Sequence, residues 1–249
     1  MTKYEKISVL AKETARSIGE NKESWMNYLD VASRLYKYPF EDQILIYAQR
    51  PDATACAPLE MWNEKMFCWV NRGAKGIALI DQESDYPRLR YVFDVSDVHK
   101  ARRIGRFPNE WKMRDEHIDT VMKRLERIYG ETDKDSGFIG RIREIAGRMA
   151  SDYAGEIAAN IQYSVKGSFL EELDDLNLEV RIRETLADSI TYMVLKGCGL
   201  DEKEIAEEIS FPYIHDFNTI GVLSHLGENV AEMSKSMLLE VGRAVRNYD

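Results

Sequence analysis

Residues 43–81 read QILIYAQRPDATACAPLEMWNEKMFCWVNRGAKGIALID, and the punctuation of this stretch decides the fold class. Ile44, Leu45, Ile46, Tyr47 and Ala48 place apolar side chains on most sides of a helix over residues 41–49, which predicts a helix sunk in a core. Arg50-Pro51 ends it, because a residue before proline is pushed out of the α region. Pro58 to Trp62 predicts a short helix with proline in its first turn. Phe67, Cys68, Trp69 and Val70 favour a strand, as do Ile77 to Ile80. Between the two runs, NRGAKG (residues 71–76) is turn chemistry, so the sequence predicts a β-hairpin with a basic tip.

Outward from this stretch, RLRYVFD (residues 88–94) alternates polar and apolar side chains and predicts a third strand antiparallel to the second. Upstream, Ile7, Leu10, Ala11, Ala15 and Ile18 form one helical stripe, and Trp25, Tyr28, Leu29, Ala32 and Leu35 form another. Downstream, Lys100, Arg102, Arg103 and Arg106 surround Gly105 and Pro108 in an exposed basic connector. From about residue 114 the pattern is helical nearly throughout, with stripes on Val121 and Leu125, on Ile142 and Ile145, and on Ile182 and Leu186. One or two further helices are expected over residues 220–245. The expected fold is α+β and mostly helical: N-terminal helices packed on a small antiparallel sheet of about three strands, followed by an all-α half. The expected domains are residues 1–112 and 113–249.

Hydrophobic residues at 44% and charged residues at 31% of 249 describe a chain able to bury a core. The net charge of −9 is unevenly placed. Residues 1–112 carry 18 Lys and Arg against 16 Asp and Glu, and residues 113–249 carry 16 against 27. Phosphate binding rests on cationic side chains, so the first part is the better place to look for a nucleic-acid contact. The acidic second part suits solvent or a basic protein surface. Cys56, Cys68 and Cys198 form no paired spacing, which argues against a disulfide framework and for a reducing cytoplasm. The first twenty residues lack a continuous apolar run, so no signal peptide is expected, and no run is long enough to predict a membrane span.

No catalytic constellation emerges. His99, His117, His215 and His225 lack metal-ligand spacing and occur in no HExxH motif, so no metal or other cofactor is expected. Arg72-Gly73-Ala74-Lys75-Gly76 departs from the GxxxxGK[ST] phosphate loop and joins two strands instead of opening a helix. No cysteine has a histidine close by in sequence, and carboxylate pairs such as Asp174-Asp175 sit on helical acidic faces. The expectation is a protein without enzymatic activity. On residue chemistry alone the 71–76 turn reads first as an ordinary solvated turn, with phosphate contact by Arg72 and Lys75 as the alternative. Most aromatic residues of the first seventy fall at helical spacing and are assigned to packing. Tyr38, Phe40 and Trp69 flank breaks and are kept as rings on which unpaired bases could stack.

The run from Trp25 through Asp81 resembles the N-terminal domain of ArdC-type antirestriction proteins. In that family an aromatic-rich helix leads to an apolar helix, a tryptophan segment and a V-x-KGEKG-like hairpin. The hairpin motif stands here as Val70-Asn71-Arg72-Gly73-Ala74-Lys75-Gly76-Ile77. RLRYVFDVSD (residues 88–97) and HDFNTIGVLSHLG (residues 215–227) extend the similarity to the opening region of large polyvalent proteins of Firmicutes conjugative elements. Those proteins can carry helicase and methyltransferase modules further on. The resemblance implies binding of single-stranded DNA and protection of incoming mobile DNA during conjugation. Gly73, Lys75 and Gly76 match the family hairpin directly, Arg72 keeps the charge of a common lysine, and Ala74 replaces a frequent acidic residue. The family's metalloprotease-like HExxH is missing from this sequence, so protease activity is not carried over.

The expected DNA contacts are therefore Arg72 and Lys75 at a tip shaped by Gly73 and Gly76. Arg50, Arg88, Arg90, Arg102 and Arg103 would add charge, and Trp69 and Tyr38 would offer stacking surfaces. Single-stranded DNA is the expected partner. The alternatives are a host defence nuclease, bound by the acidic helices in the manner of an anti-CRISPR or antirestriction inhibitor, and a helicase module onto which the chain docks. No membrane partner is expected.

Overall fold

The computed structural model describes residues 1–100, 105–108, 111–206 and 208–248. It is α+β, with helices at the N-terminus, a small antiparallel sheet, and helices for the remainder. Helix α1 (Lys3–Ile18) opens with a capping box: Glu5 N–H donates to Thr2 Oγ1 and Thr2 N–H to the Glu5 carboxylate. Helix α2 (Lys22–Arg34) is capped by Asn21, whose Oδ1 accepts from Ser24 N at 2.9 Å. Helix α3 (Phe40–Gln49) starts at Pro39 and ends at Arg50, as the proline spacing predicts. Its polar Gln43 is buried with both ends satisfied, accepting from Tyr28 Oη at 2.7 Å and donating to the Leu35 carbonyl at 3.2 Å.

Five strands follow: β1 (Cys56–Pro58), β2 (Cys68–Val70), β3 (Ile77–Ile80), β4 (Leu89–Asp94) and β5 (Val98–Lys100). Strands β1, β4 and β3 form an antiparallel sheet in that order, so the expected pairing of the Ile77 and Arg88 runs is present. The expected hairpin across residues 71–76 is not. Strand β2 pairs with β5 in a separate two-stranded ribbon, and residues 71–76 cross from ribbon to sheet. The reason lies at the free edge of β3. There the Gln49 carboxamide donates to the Ala78 carbonyl at 2.9 Å and accepts from Ala78 N at 3.0 Å. The α3 side chain thus occupies the backbone groups that a hairpin partner would have used. The expected helix at Pro58 also shifts. Pro58 ends edge strand β1, and the helical turn follows it, finishing as a π-turn over Met61–Lys65.

The later helices are α4 (Ile118–Tyr129), α5 (Gly137–Ile161), α6 (Asp175–Gly197), α7 (Glu202–Ala206) and α8 (Ile220–Tyr248), the last a single 29-residue helix. The largest buried cluster joins Trp25, Tyr28, Leu29, Phe40 and Ile44 of α2 and α3 to residues of α4, α5, α6 and α8. Within it the Trp25 indole donates to Ser189 Oγ of α6 at 2.9 Å, and Gly227 of α8 leaves room for the Phe40 ring. A second cluster packs Ile7, Val31, Leu35, Leu45 and Ile46 against Ile77, Leu79 and Val92 of the sheet. A third, of Ala57, Trp62, Cys68 and Val98, lies beneath the ribbon.

Candidate nucleic-acid interface

A two-stranded ribbon is marginal in water by itself, so something must hold this one. The third cluster does so from below, with Trp62 fully buried and its indole donating to the Phe93 carbonyl of β4 at 2.9 Å. At one end Arg106 N–H donates to the Met66 carbonyl at 2.9 Å. At the other, Asn71 N–H donates to the Asp97 carbonyl at 2.8 Å, continuing the β2–β5 ladder by one bond.

Strand alternation then fixes what faces out. Cys68 and Val98 point into the small core, and Trp69 and His99, directly opposite in the register, point to solvent. Trp69 is 48% exposed. His99 Nδ1 lies 2.7 Å from Asn71 Oδ1, which ties the ring to the start of the loop. Phe67 has φ 51, a left-handed backbone that costs free energy for a non-glycine residue, and its ring is 46% exposed. Lys100 Nζ stands 4.6 Å from the centre of the Phe107 ring, itself exposed. Trp69 and His99 thus occupy one face of the ribbon, while Lys100, opposite Cys68 in the register, ends the other beside Phe107, next in sequence to the exposed Arg106.

In the adjoining loop Arg72 and Lys75 are both exposed, and neither is in an ion pair with any described residue. Gly73 adopts φ +89 with open space around it, so it supplies the turn's conformation. Gly76 serves packing instead: a Cβ there would stand 3.1 Å from Phe93 Cζ.

The remaining expected contacts divide. Arg50 is committed to internal partners, with Asp97 at 2.8 Å, Ser96 Oγ at 2.8 Å and Asp52 at 3.3 Å. Arg90 is paired with the buried carboxylate of Asp42. Tyr38 donates its hydroxyl to the Cys56 carbonyl at 2.8 Å and packs on the second cluster, and burial raises its pKa. Phe40 is buried beneath α8. Arg88 is exposed, but it lies beside Asp81 at the end of β3 away from the 71–76 loop. Arg102 and Arg103 lie outside the described residues. Trp69, Arg72 and Lys75 are thus exposed on β2 and the loop after it, and the exposed residues on or beside the ribbon that sequence reading passed over are Phe67, His99, Lys100 and Phe107. The alternation Phe67-x-Trp69-x-Asn71 carried a signal for the first; the pairing of β2 with a strand thirty residues on carried none.

Elsewhere the chemistry is muted. Burial pushes the Cys56 thiol up to about 12, helped by the Asp94 carboxylate, and pushes Cys198 up to about 12. Both are protonated at neutral pH and poor nucleophiles. Among the described residues no group of three or more His, Cys, Asp or Glu is disposed to hold a metal ion. No described helix is long and apolar enough to cross a membrane. A cavity of about 350 Å³ between the start of α3 and the middle of α8 is lined by Glu41, Glu228, Glu232 and Lys235 among others. Burial, together with the neighbouring Glu41, raises the Glu228 pKa.

No protein-family model matches this sequence, and no curated protein matches it. Among solved structures, the metal-free antirestriction protein ArdC of plasmid R388 is similar at 10% identity and a TM-score of 0.37, covering 85% of this chain and 86% of that one.

Proposed function

We propose that this is a non-enzymatic, single-stranded DNA-binding protein of the antirestriction type, belonging to a mobile genetic element. The observation that carries the proposal is the outward face of the ribbon, where Trp69 and His99 sit opposite each other and exposed. Arg72 and Lys75 stand exposed in the loop that follows β2, without ion-pair partners among the described residues. Exposed rings beside cations bind single strands with little regard to sequence, because every base has a face to stack and every nucleotide a phosphate. Duplex DNA hides its base faces, so the ribbon discriminates against it. The sequence resemblance to the ArdC-type N-terminal domain, centred on the same residues 70–77, supports the antirestriction setting.

A second reading rests on the carboxylates of Glu41, Glu228 and Glu232 around the α3–α8 cavity. An acidic surface of this kind fits a basic channel on a host nuclease. Fluorescence-anisotropy titration with single- and double-stranded oligonucleotides, run beside pull-downs with candidate defence nucleases, separates the two. The proposal expects tighter binding to the single strand; nuclease capture without oligonucleotide binding would replace it with the second reading.

A further inference from the structure

The helical half is acidic overall, yet one groove on it is cationic. Helices α4 and α8 run antiparallel: His117, preceding α4, meets the ring of Tyr248 at the end of α8, and Arg124 meets Glu240 one stretch earlier. Their outer stripes line a cleft of about 220 Å³, with Thr120, Lys123, Arg124 and Arg127 on α4 and Ala244 and Asn247 on α8. Arg243 stands on the same stripe of α8, one helical turn from Asn247. The acidic member is Glu240, and it is already held from both sides: Arg124 Nε lies 2.6 Å from one oxygen, and Arg243 binds the other. One carboxylate therefore orders two guanidinium groups and neutralises the charge of one. Lys123 and Arg127 are exposed and have no ion-pair partner among the described residues.

Such an excess of unpaired cations on an acidic surface repels its own kind and is offset by a bound anion. Lys123 and Arg127 are four residues apart on one face, about 6 Å along the helix axis. Thr120 extends the polar stripe to about 10 Å. This suits a row of phosphates better than a single compact anion. Asn247 and Thr120 add uncharged donors of the kind found against phosphate oxygens.

We propose that the α4–α8 groove is a second phosphodiester-binding site, separate from the ribbon, which takes the backbone of the same nucleic-acid strand. The inference rests on the ribbon reading for its ligand and on the groove's own charges for its location. Phe107 at the ribbon and Trp111, packed on Gly242 of α8, are four residues apart, so the chain between them spans at most about 14 Å. A strand leaving the ribbon can therefore reach α8.

The test uses the full chain and a fluorescent single-stranded oligonucleotide of about thirty nucleotides, with wild type, Lys123→Ala/Arg127→Ala and Arg72→Ala/Lys75→Ala titrated at several salt concentrations. Both double variants alter exposed side chains, and circular dichroism checks that each is folded. The groove variant is expected to bind about tenfold more weakly, with a salt slope shallower by about 1.4, the value for two lost phosphate contacts on a single strand. Charge reversal, Lys123→Glu/Arg127→Glu, should weaken binding further. A groove variant with wild-type affinity and slope, while the loop variant is weakened, overturns the groove and leaves the ribbon. No binding by wild type overturns both. Competition by polyglutamate as strong as by unlabelled oligonucleotide at equal charge also overturns the assignment, because the groove would then answer to charge alone.

Discussion

Trp69 of β2 and His99 of β5 are register partners in a two-stranded ribbon, and both turn their rings to solvent while Cys68 and Val98 beside them are buried. A large apolar ring left in water on a supported strand contributes little to folding, so its removal separates binding from stability. Trp69→Ala is expected to leave the urea midpoint nearly unchanged and to weaken single-strand binding by about 1–3 kcal/mol, the usual worth of one stacked base. Trp62→Ala, in the core beneath the ribbon, should instead destabilise the fold by about 3–5 kcal/mol. Equilibrium unfolding and anisotropy on the two variants check both halves.

Arg90 is a structural cation despite its place in a basic-looking strand. Asp42 is buried and its pKa is raised by that burial, with the Arg90 guanidinium pulling the other way. Arg90→Ala strands that carboxylate without its counter-charge. A loss of about 1–3 kcal/mol in stability is expected, with affinity for DNA unchanged in the folded fraction. Denaturant unfolding measures the first and titration below the midpoint the second.

Gly227 on α8 is required by the Phe40 ring, because a Cβ would overlap its edge. Overpacking costs about 1–3 kcal/mol, and replacing a mid-helix glycine by alanine returns about 1 kcal/mol. Gly227→Ala should therefore be net destabilising by up to about 2 kcal/mol. The pair Gly227→Ala/Phe40→Leu should lose less than the sum of the two single changes, a coupling that a double-mutant cycle in urea reads directly.

Glu126 holds the loop between α4 and α5. Its carboxylate is kept near 2 by hydrogen bonds, first from the Thr132 side chain and then from Arg141. The folded-state value lies below the ordinary 4.5, so the stabilisation is fully present above about pH 4.5 and fades as pH falls toward 2. Urea unfolding of wild type and Glu126→Gln at pH 6, 4 and 3 should show the stability gap narrowing with acid.

Much of this architecture is legible in the sequence. Helical stripes and proline breaks mark α1 to α3, and the alternating RLRYVFD marks β4 and its partnership with β3. What is not legible is choice of partner. Phe67 to Val70 reads as a strand, but nothing local says that Gln49 has closed the edge of β3, so the ribbon with β5 is hidden. The same limit applies to the arginines. Arg50 and Arg90 look like Arg72 in sequence, and only the folded positions of Asp97 and Asp42 divide internal counter-charges from free cations. Thr120, Lys123 and Arg127 recur on one helical face, but their cleft is formed by α8 more than a hundred residues away.

The central claim is that the ribbon and its loop form one working surface for single-stranded DNA. Its most direct test is the salt dependence of single-strand affinity for wild type against the triple change Trp69→Ala/Arg72→Ala/Lys75→Ala, both verified as folded. Wild-type affinity should fall steeply with salt, and the triple variant should bind at least tenfold more weakly with a slope shallower by about 1.4. Equal affinity and equal slope in the two proteins would contradict the account.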